Sequence, residues 1–393
     1  MKFYYLIISA ILLVTSSCFN KVQEELCVTS LPESSSPEEA RKIPINPNIF
    51  RNGKVKDVAP LDFTYNYQTL QSQMIPTINA DLIEGLKNQF NILKRRKRSS
   101  VFNAGNFQMN NDEMIAVVKL LLENKDAPEL ISQHLDSYLL NGEDNKGNFY
   151  MTGYFSPTIE ADYTRSETYN YPIYRFPDNW ENELPTREEI DGPMAILEPT
   201  NNEIAYAKNL EDIYFMQVQG SGYIKYPDGK TQYLRYDGNN KKRYRSIEQY
   251  MLRNDMVPKG GSVSIDGLKQ FFKENPFMRD AILFQNPSYV FFEISNLKPT
   301  GSGGVPLTAK HSIAVDSDFI PVGSTLLASI PIYQDGRIVD HEYRILLAQD
   351  VGGAIRGSGH IDLYSGVGEK GQQAASQLHH YGKVWLLKPK AQT

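Results

Sequence analysis

A chain of 393 residues has room for two or three domains and a substantial core. Its 41% hydrophobic and 22% charged residues are those of an ordinary globular protein, which excludes collagenous, coiled-coil and disordered classes. With 41 basic against 46 acidic side chains, the net charge of -5 supplies no broad basic field, and nucleic acid is not an expected partner.

The chain opens on Lys2 and an apolar run from Phe3 to Val14, followed by the small residues Thr15-Ser16-Ser17 and then Cys18. That order predicts a signal peptide over residues 1–17. The run is shorter than the roughly 20 residues of a comfortable membrane span. Small residues directly before a cysteine resemble a bacterial lipoprotein processing site. The resemblance implies lipidation at Cys18 and, with Phe19 rather than an aspartate following, retention on the periplasmic face of the outer membrane. Plain secretion or a short membrane anchor is the alternative. Cys27 is the one other cysteine, so a lipidated Cys18 leaves no disulfide framework.

From residue 18 to about 60 the chain lacks apolar periodicity and carries Leu31-Pro-Glu-Ser-Ser-Ser-Pro-Glu-Glu39, a composition suited to a solvated tether. Two helices follow in the pattern: Ala80–Lys94, with Leu82, Leu86, Phe90 and Leu93 at helical spacing, and Asn111–Asn124, with Met114, Val117, Val118 and Leu121. Beyond Gly147 the texture changes to short runs rich in Tyr, Phe, Val and Ile between Gly, Pro, Asn and Asp. Tyr214–Val218, Tyr223–Tyr226 and Tyr233–Tyr236 are predicted strands. Helices are expected at Ser246–Arg253, Ile265–Asn275 and Met278–Phe284, then strands at Tyr289–Ile294, Ser312–Val315, Ser324–Ile330 and Arg344–Gln349. A last helix at Gly371–His379 and a strand at Val384–Leu387 close the chain. The expected architecture is mainly β with some helices, closed into barrels because so many short strands otherwise leave edges exposed.

Three aspartates sit at the downstream ends of short apolar runs: Asp316, Asp350 and Asp362. Between the last two, Val351-Gly-Gly-Ala-Ile-Arg-Gly-Ser-Gly359 permits tight turns and leaves little bulk around a ligand. Ile361 and Leu363 flank Asp362, so strand alternation sends both apolar side chains one way and the carboxyl, with Tyr364, the other. Taken singly, each aspartate also suits a turn.

Ala348-Gln-Asp-Val-Gly-Gly-Ala-Ile-Arg-Gly357, followed by Asp362 and Gly366-Val-Gly368, resembles the signature of the lytic murein transglycosylase A family. Further similar blocks occur in order, among them Gly153-Tyr-Phe-Ser-Pro157, Leu184-Pro-Thr-Arg187, Phe215-Met-Gln-Val-Gln-Gly-Ser-Gly222, Gly304-Val-Pro-Leu-Thr308 and Ser312-Ile-Ala-Val-Asp316. The resemblance covers roughly residues 60–390. It implies a double-psi β-barrel carrying three aspartates (a 3D domain), a second β-domain inserted in the chain, and a groove between them. The division it suggests is 61–154 and 291–393 for the barrel and 155–290 for the insert.

The activity implied is non-hydrolytic cleavage of the β-1,4 bond between N-acetylmuramic acid and N-acetylglucosamine in peptidoglycan, with a 1,6-anhydro product. By the same resemblance Asp362 is the acid and base, Asp350 and Asp316 support it, and Tyr154, Gln217, Gln219, Ser221 and Thr308 line the groove. The expected partners are glycan strands, a membrane reached through the lipid anchor, and other cell-wall proteins; a monomer is expected. Two other readings stay open: an inverting hydrolase with Asp350 or Asp316 as base, and a lipoprotein that grips peptidoglycan without cleaving it.

Other motifs carry less. Gly366-Val-Gly-Glu-Lys-Gly371 matches a dinucleotide loop, but the chain ends before a βαβ unit can follow. His341-Glu342 lacks a second histidine and His379-His380 do not share a helical face, so no metal or other cofactor is indicated. Lys94-Arg-Arg-Lys-Arg98 suits either an anionic surface or a helix C-terminus.

Overall fold

The computed structural model describes residues 67–390 apart from 69, 105–106, 143, 257–262 and 335–336. The signal peptide, Cys18, Cys27 and the tether lie outside the described residues.

The first part of the chain supplies β1 (Tyr67–Gln68), α1 (Ala80–Lys94), the hairpin β2 (Val101–Ala104) and β3 (Phe107–Asn110), α2 (Asn111–Glu123), α3 (Pro128–His134), β4 (Leu135–Leu139) and β5 (Asn148–Ser156). Then come β6 (Thr158–Asp162), β7 (Tyr171–Tyr174), α4 (Arg187–Asp191), β8 (Glu203–Ala207), α5 (Leu210–Gln219), β9 (Gly222–Lys225) and β10 (Thr231–Asn239). They are followed by α6 (Ile247–Arg253), α7 (Ile265–Glu274), α8 (Pro276–Leu283) and β11 (Val290–Ser295). The last part holds β12 (Ser312–Val315), β13 (Thr325–Gln334), β14 (Arg337–Val351), β15 (His360–Val367), α9 (Gly368–Gln377) and β16 (His379–Pro389).

Strands from the two ends of the chain build one sheet, in the order β1-β4-β16-β13-β14-β12-β15-β5, and β16 also pairs with β5. Six strands therefore close into a barrel, which removes the exposed edges that short strands otherwise leave. Two pairings in the ring are parallel, β12 with β14 and β15 with β5, as an interlocked barrel of this kind requires. Its interior is filled by Phe149, Met151, Ile313, Leu326, Leu346, Ile361 and Leu386, all buried and brought to one face of the closed sheet by the strand registers.

Helices α1 and α2 pack on the barrel for the reasons their spacing gives. Leu82, Leu86 and Leu93 are fully buried, each burial contributing about 1.5–3 kcal/mol. Asn79 caps the start of α1, and Asn110 with Glu113 forms a capping box on α2. Buried amides fix α1 to the barrel: Gln89 donates to the Ser324 carbonyl at 2.8 Å, and Gln349 donates to the Gly85 carbonyl at 3.0 Å.

Between Ser156 and Ser312 the chain makes its second sheet, ordered β11-β10-β9-β6-β8-β7. The expected closure does not occur here among the described residues: the edge strands β7 and β11 come into contact without pairing. Helices α5, α6, α7 and α8 bury a cluster of their own against Tyr214, Phe215 and Phe272, so cover by helices replaces closure as protection.

One predicted strand is a helix. Tyr214–Val218 belongs to α5, whose residues from Ile213 to Gln217 are all buried. A continuous apolar run reads alike for a buried helix and a buried strand. The signals that decide it lie outside the run: Glu211 and Asp212 favour the first turn, and Gly220 ends the helix at φ 82°.

Candidate active site

Strands β5 and β15 lie side by side and parallel, pairing Tyr150 with His360, Thr152 with Asp362 and Tyr154 with Tyr364. Because side chains alternate along a strand, Met151, Ile361 and Leu363 enter the barrel core while the three intervening pairs share the other face. The alternation read around Asp362 is what the structure has.

Asp362 is half-buried, with the Thr152 hydroxyl donating to its Oδ1 at 2.8 Å and His360 Nε2 at 3.0 Å from the same hydroxyl. Its carboxyl is pushed up to about 7. Burial, which penalises the anion, is the main cause; the Thr152 hydrogen bond acts against it and the nearby Asp350 charge adds to it. At neutral pH this acid holds its proton about half the time. His360 is pushed down to about 4 by burial, helped by His379, and stands neutral beside it. Neither Thr152 nor His360 stands out in the sequence, since nothing in sequence order shows that two strands more than 200 residues apart are neighbours.

Asp350 sits at the end of β14 with both oxygens engaged. Its Oδ2 accepts from the Tyr154 hydroxyl at 2.9 Å, and its Oδ1 accepts from the Ser302 N–H at 2.8 Å and the Val351 N–H at 2.9 Å. Burial raises its pKa while those donors act against the rise. Burial and the Asp350 charge hold the Tyr154 hydroxyl well above its usual range, so it remains a donor. Asp316 acts on the backbone instead, with Oδ2 accepting from the Gly357 N–H at 3.0 Å and Oδ1 from the Asp318 N–H at 3.2 Å. It pins the glycine-rich loop where Gly357 turns at φ 89°, a conformation that suits glycine.

The remaining expected contacts separate. Ser221 is hydrogen-bonded to Tyr233, whose hydroxyl accepts from the Thr300 N–H at 3.1 Å, placing both beside the loop that holds Asp350. Gln219 accepts from the Phe155 N–H at 2.9 Å and so ties α5 to β5, next to Tyr154. Gln217 is buried, its amide donating to the Val290 carbonyl at 2.9 Å inside the inserted unit. Thr308 is buried too, packed where a Cβ at Gly85 would lie 3.0 Å from its hydroxyl. The structure does not bring these two to the cleft.

A cavity of about 460 Å³ opens between the barrel and helix α6 of the inserted unit. Tyr150, His360, His379 and Tyr381 line it from the barrel, and Glu248 and Gln249 of α6 with the capping Ser246 line it from the inserted unit. His360 joins this cavity to Asp362 through Thr152. Aromatic rings and amide or hydroxyl groups on facing walls suit a saccharide, which offers ring faces and hydroxyls together.

Comparisons with known proteins show the family and the fold. The profile described as "MltA specific insert domain" matches residues 150–293, and the 3D domain matches residues 311–388. The chain is 36% identical over 278 residues to the membrane-bound lytic murein transglycosylase A of Escherichia coli K12, covering 70% of this chain and 74% of that protein. It is 34% identical over 331 residues to the protein of the same name from Vibrio cholerae, covering 81% and 88%. Its fold is similar to the crystal structure of E. coli MltA with bound chitohexaose, with a TM-score of 0.67 and 30% identity over 84% of this chain and 98% of that one.

Proposed function

Because the chain belongs to the membrane-bound lytic murein transglycosylase A family, and is therefore a lyase that cleaves peptidoglycan without water, we propose that Asp362 alone supplies its acid and its base. The observation that carries this is the half-buried Asp362 carboxyl, poised near 7 and held from one side by Thr152.

Oδ1 accepts the Thr152 hydrogen bond, which leaves Oδ2 to carry the proton. Protonated Asp362 donates it to the glycosidic oxygen, the C1–O bond breaks, and the muramyl sugar takes on oxocarbenium character. The resulting carboxylate removes the proton from the C6 hydroxyl of the same sugar, whose oxygen bonds to C1 and gives the 1,6-anhydro ring. Asp362 ends protonated, as it began. A tethered hydroxyl needs no second base, since well-oriented intramolecular groups reach effective molarities of about 10⁵–10⁸ M. Asp350 fits an electrostatic role rather than that of a base for water, because both its oxygens already accept hydrogen bonds. Asp316 supports the site by fixing the loop at Gly357.

Tyr154 and Ser221 are the sugar contacts in this reading, with Gln219, Gln217 and Thr308 as supports behind them. The division 61–154, 155–290 and 291–393 stands as the domain assignment. Lipidation at Cys18 holds the enzyme to the outer membrane, and the stretch 18–60 lets a monomer reach the wall. Digestion of purified sacculi tests the reaction: the enzyme releases anhydro-muropeptides, and products with a reducing end, heavier by one water, mark a hydrolase instead.

A further inference from the structure

We infer that the basic cavity beside the Asp350 loop is a carboxylate subsite that takes the acidic stem peptide of the muramyl sugar, an assignment that rests on the peptidoglycan reading above. The cavity, of about 450 Å³, is lined by Arg95 and Arg96 at the end of α1, by Phe102, and by Ser302, Ser317 and Val351. It is separate from the cavity beside His360 and belongs wholly to the barrel and its helices.

Both guanidiniums are held in place. Arg95 donates from Nη1 to the Gly303 carbonyl at 3.4 Å and from Nη2 to the Gly304 carbonyl at 3.2 Å; Arg96 donates from Nη1 to the Val322 carbonyl at 2.6 Å. Arg96 also lies 4.9 Å from the centre of the Phe102 ring. Each guanidinium has five N–H donors, so these contacts anchor the groups and leave most donors uncommitted. Among the described residues neither arginine forms an ion pair, whereas Arg98 in the same run is paired with Asp112. The nearby carboxylates are committed elsewhere, Asp316 to the N–H groups of Asp318 and Gly357 and Asp350 to those of Ser302 and Val351. A helix C-terminus accounts for cations there, but Lys94 in the last turn of α1 already serves it. Arg96 is moreover pushed below the usual guanidinium range by burial, the state of a cation that lacks its counter-charge.

The chemistry that fits two fixed, adjacent forks is a carboxylate, which arginine binds through paired N–H donors. The cavity is next to the reacting centre: Ser302 lines it and also gives its N–H and its hydroxyl to Asp350. In peptidoglycan the groups next to the cleaved bond that bear free carboxylates are the peptides on muramic acid.

The test compares intact sacculi with glycan strands stripped of peptide by an amidase, using the full chain and the double variant Arg95→Gln/Arg96→Gln. The variant is expected to raise KM on sacculi about tenfold more than on stripped strands, the size of one lost charge-assisted contact, with kcat little changed. Arg95→Lys/Arg96→Lys, which keeps both charges, is expected to recover part of the preference. An equal loss on both substrates assigns the arginines to holding the loops and overturns the proposal, as does an unchanged ratio. A fall in binding to phosphatidylglycerol vesicles with no change in that ratio overturns it in favour of a lipid headgroup. Retention of Asp362→Asn protein on the two substrates reads the arginines without turnover, so the subsite result stands apart from the assignment of the acid.

Discussion

Thr152 and Asp362 are register partners across the parallel pair β5 and β15, and the hydroxyl of one donates to the carboxyl of the other at 2.8 Å. The pairing joins a strand from the first part of the chain to one from the last, so the acid is assembled only when the barrel closes.

Asp362→Asn is expected to abolish release of anhydro-muropeptides from sacculi while leaving a folded protein. Its thermal stability supplies an independent check. A carboxyl near 7 when folded and 3.8 when unfolded costs the wild type stability as pH rises from about 4 to about 7, because the unfolded chain ionises first. The variant has no such cost, so its melting temperature gains on the wild type across that window; a constant difference removes the perturbed carboxyl from the account.

The rate profile follows from the same group. Since the first step needs protonated Asp362, kcat/KM is expected to fall about tenfold per pH unit above about pH 7. A profile flat to pH 9 contradicts the assignment.

Two substitutions move that limb in opposite directions. Thr152→Val removes a hydrogen bond that favours the anion and moves the limb up, by about one pH unit for a bond of typical charge-assisted strength. Asp350→Asn removes a neighbouring negative charge and moves it down. Both lower kcat, but a merely structural role for either predicts lower activity with an unmoved limb.

In the inserted unit, Arg187 and Asp191 form an almost fully buried pair at 3.3 Å, with the guanidinium over the rings of Tyr214 and Tyr289. Arg187→Ala strands Asp191, whose pKa burial already raises to about 6. The expected loss is about 3–5 kcal/mol by denaturant titration. Replacing both residues by apolar ones of similar volume costs less.

Gly153 is a packing constraint beside the site, since a Cβ there would come within 2.6 Å of the Ala375 backbone on α9. Gly153→Val is expected to destabilise by about 1–3 kcal/mol and to cut activity by displacing the adjacent Thr152 and Tyr154. A thermal melt read against sacculus digestion separates the two effects.

Local pattern carried much of this molecule. The span Ala80–Lys94 is a helix with the bounds its spacing gives, Ser312–Val315 is a strand, and the alternation Ile361-Asp-Leu-Tyr364 put the carboxyl on the right face, because each depends on neighbours within a few residues. The three aspartates, with the division into one acid and two supports, were legible through their resemblance to a family, while the groups that hold each carboxyl were not. Those groups are donors from distant chain: Thr152 for Asp362, Tyr154 and Ser302 for Asp350, Gly357 for Asp316. Gln217 shows the same limit, for a buried helix and a buried strand share one hydropathy pattern and only packing against Val290 turned it inward. Arg95 and Arg96 read as a charged helix end, and only the folded barrel, by placing the loops at 302–304 and 322 under their guanidiniums, made them the wall of a cavity. Sequence order thus sets what each segment forms and which face it shows, whereas closure of the barrel decides which faces meet, and a carboxyl's pKa is a property of what it meets.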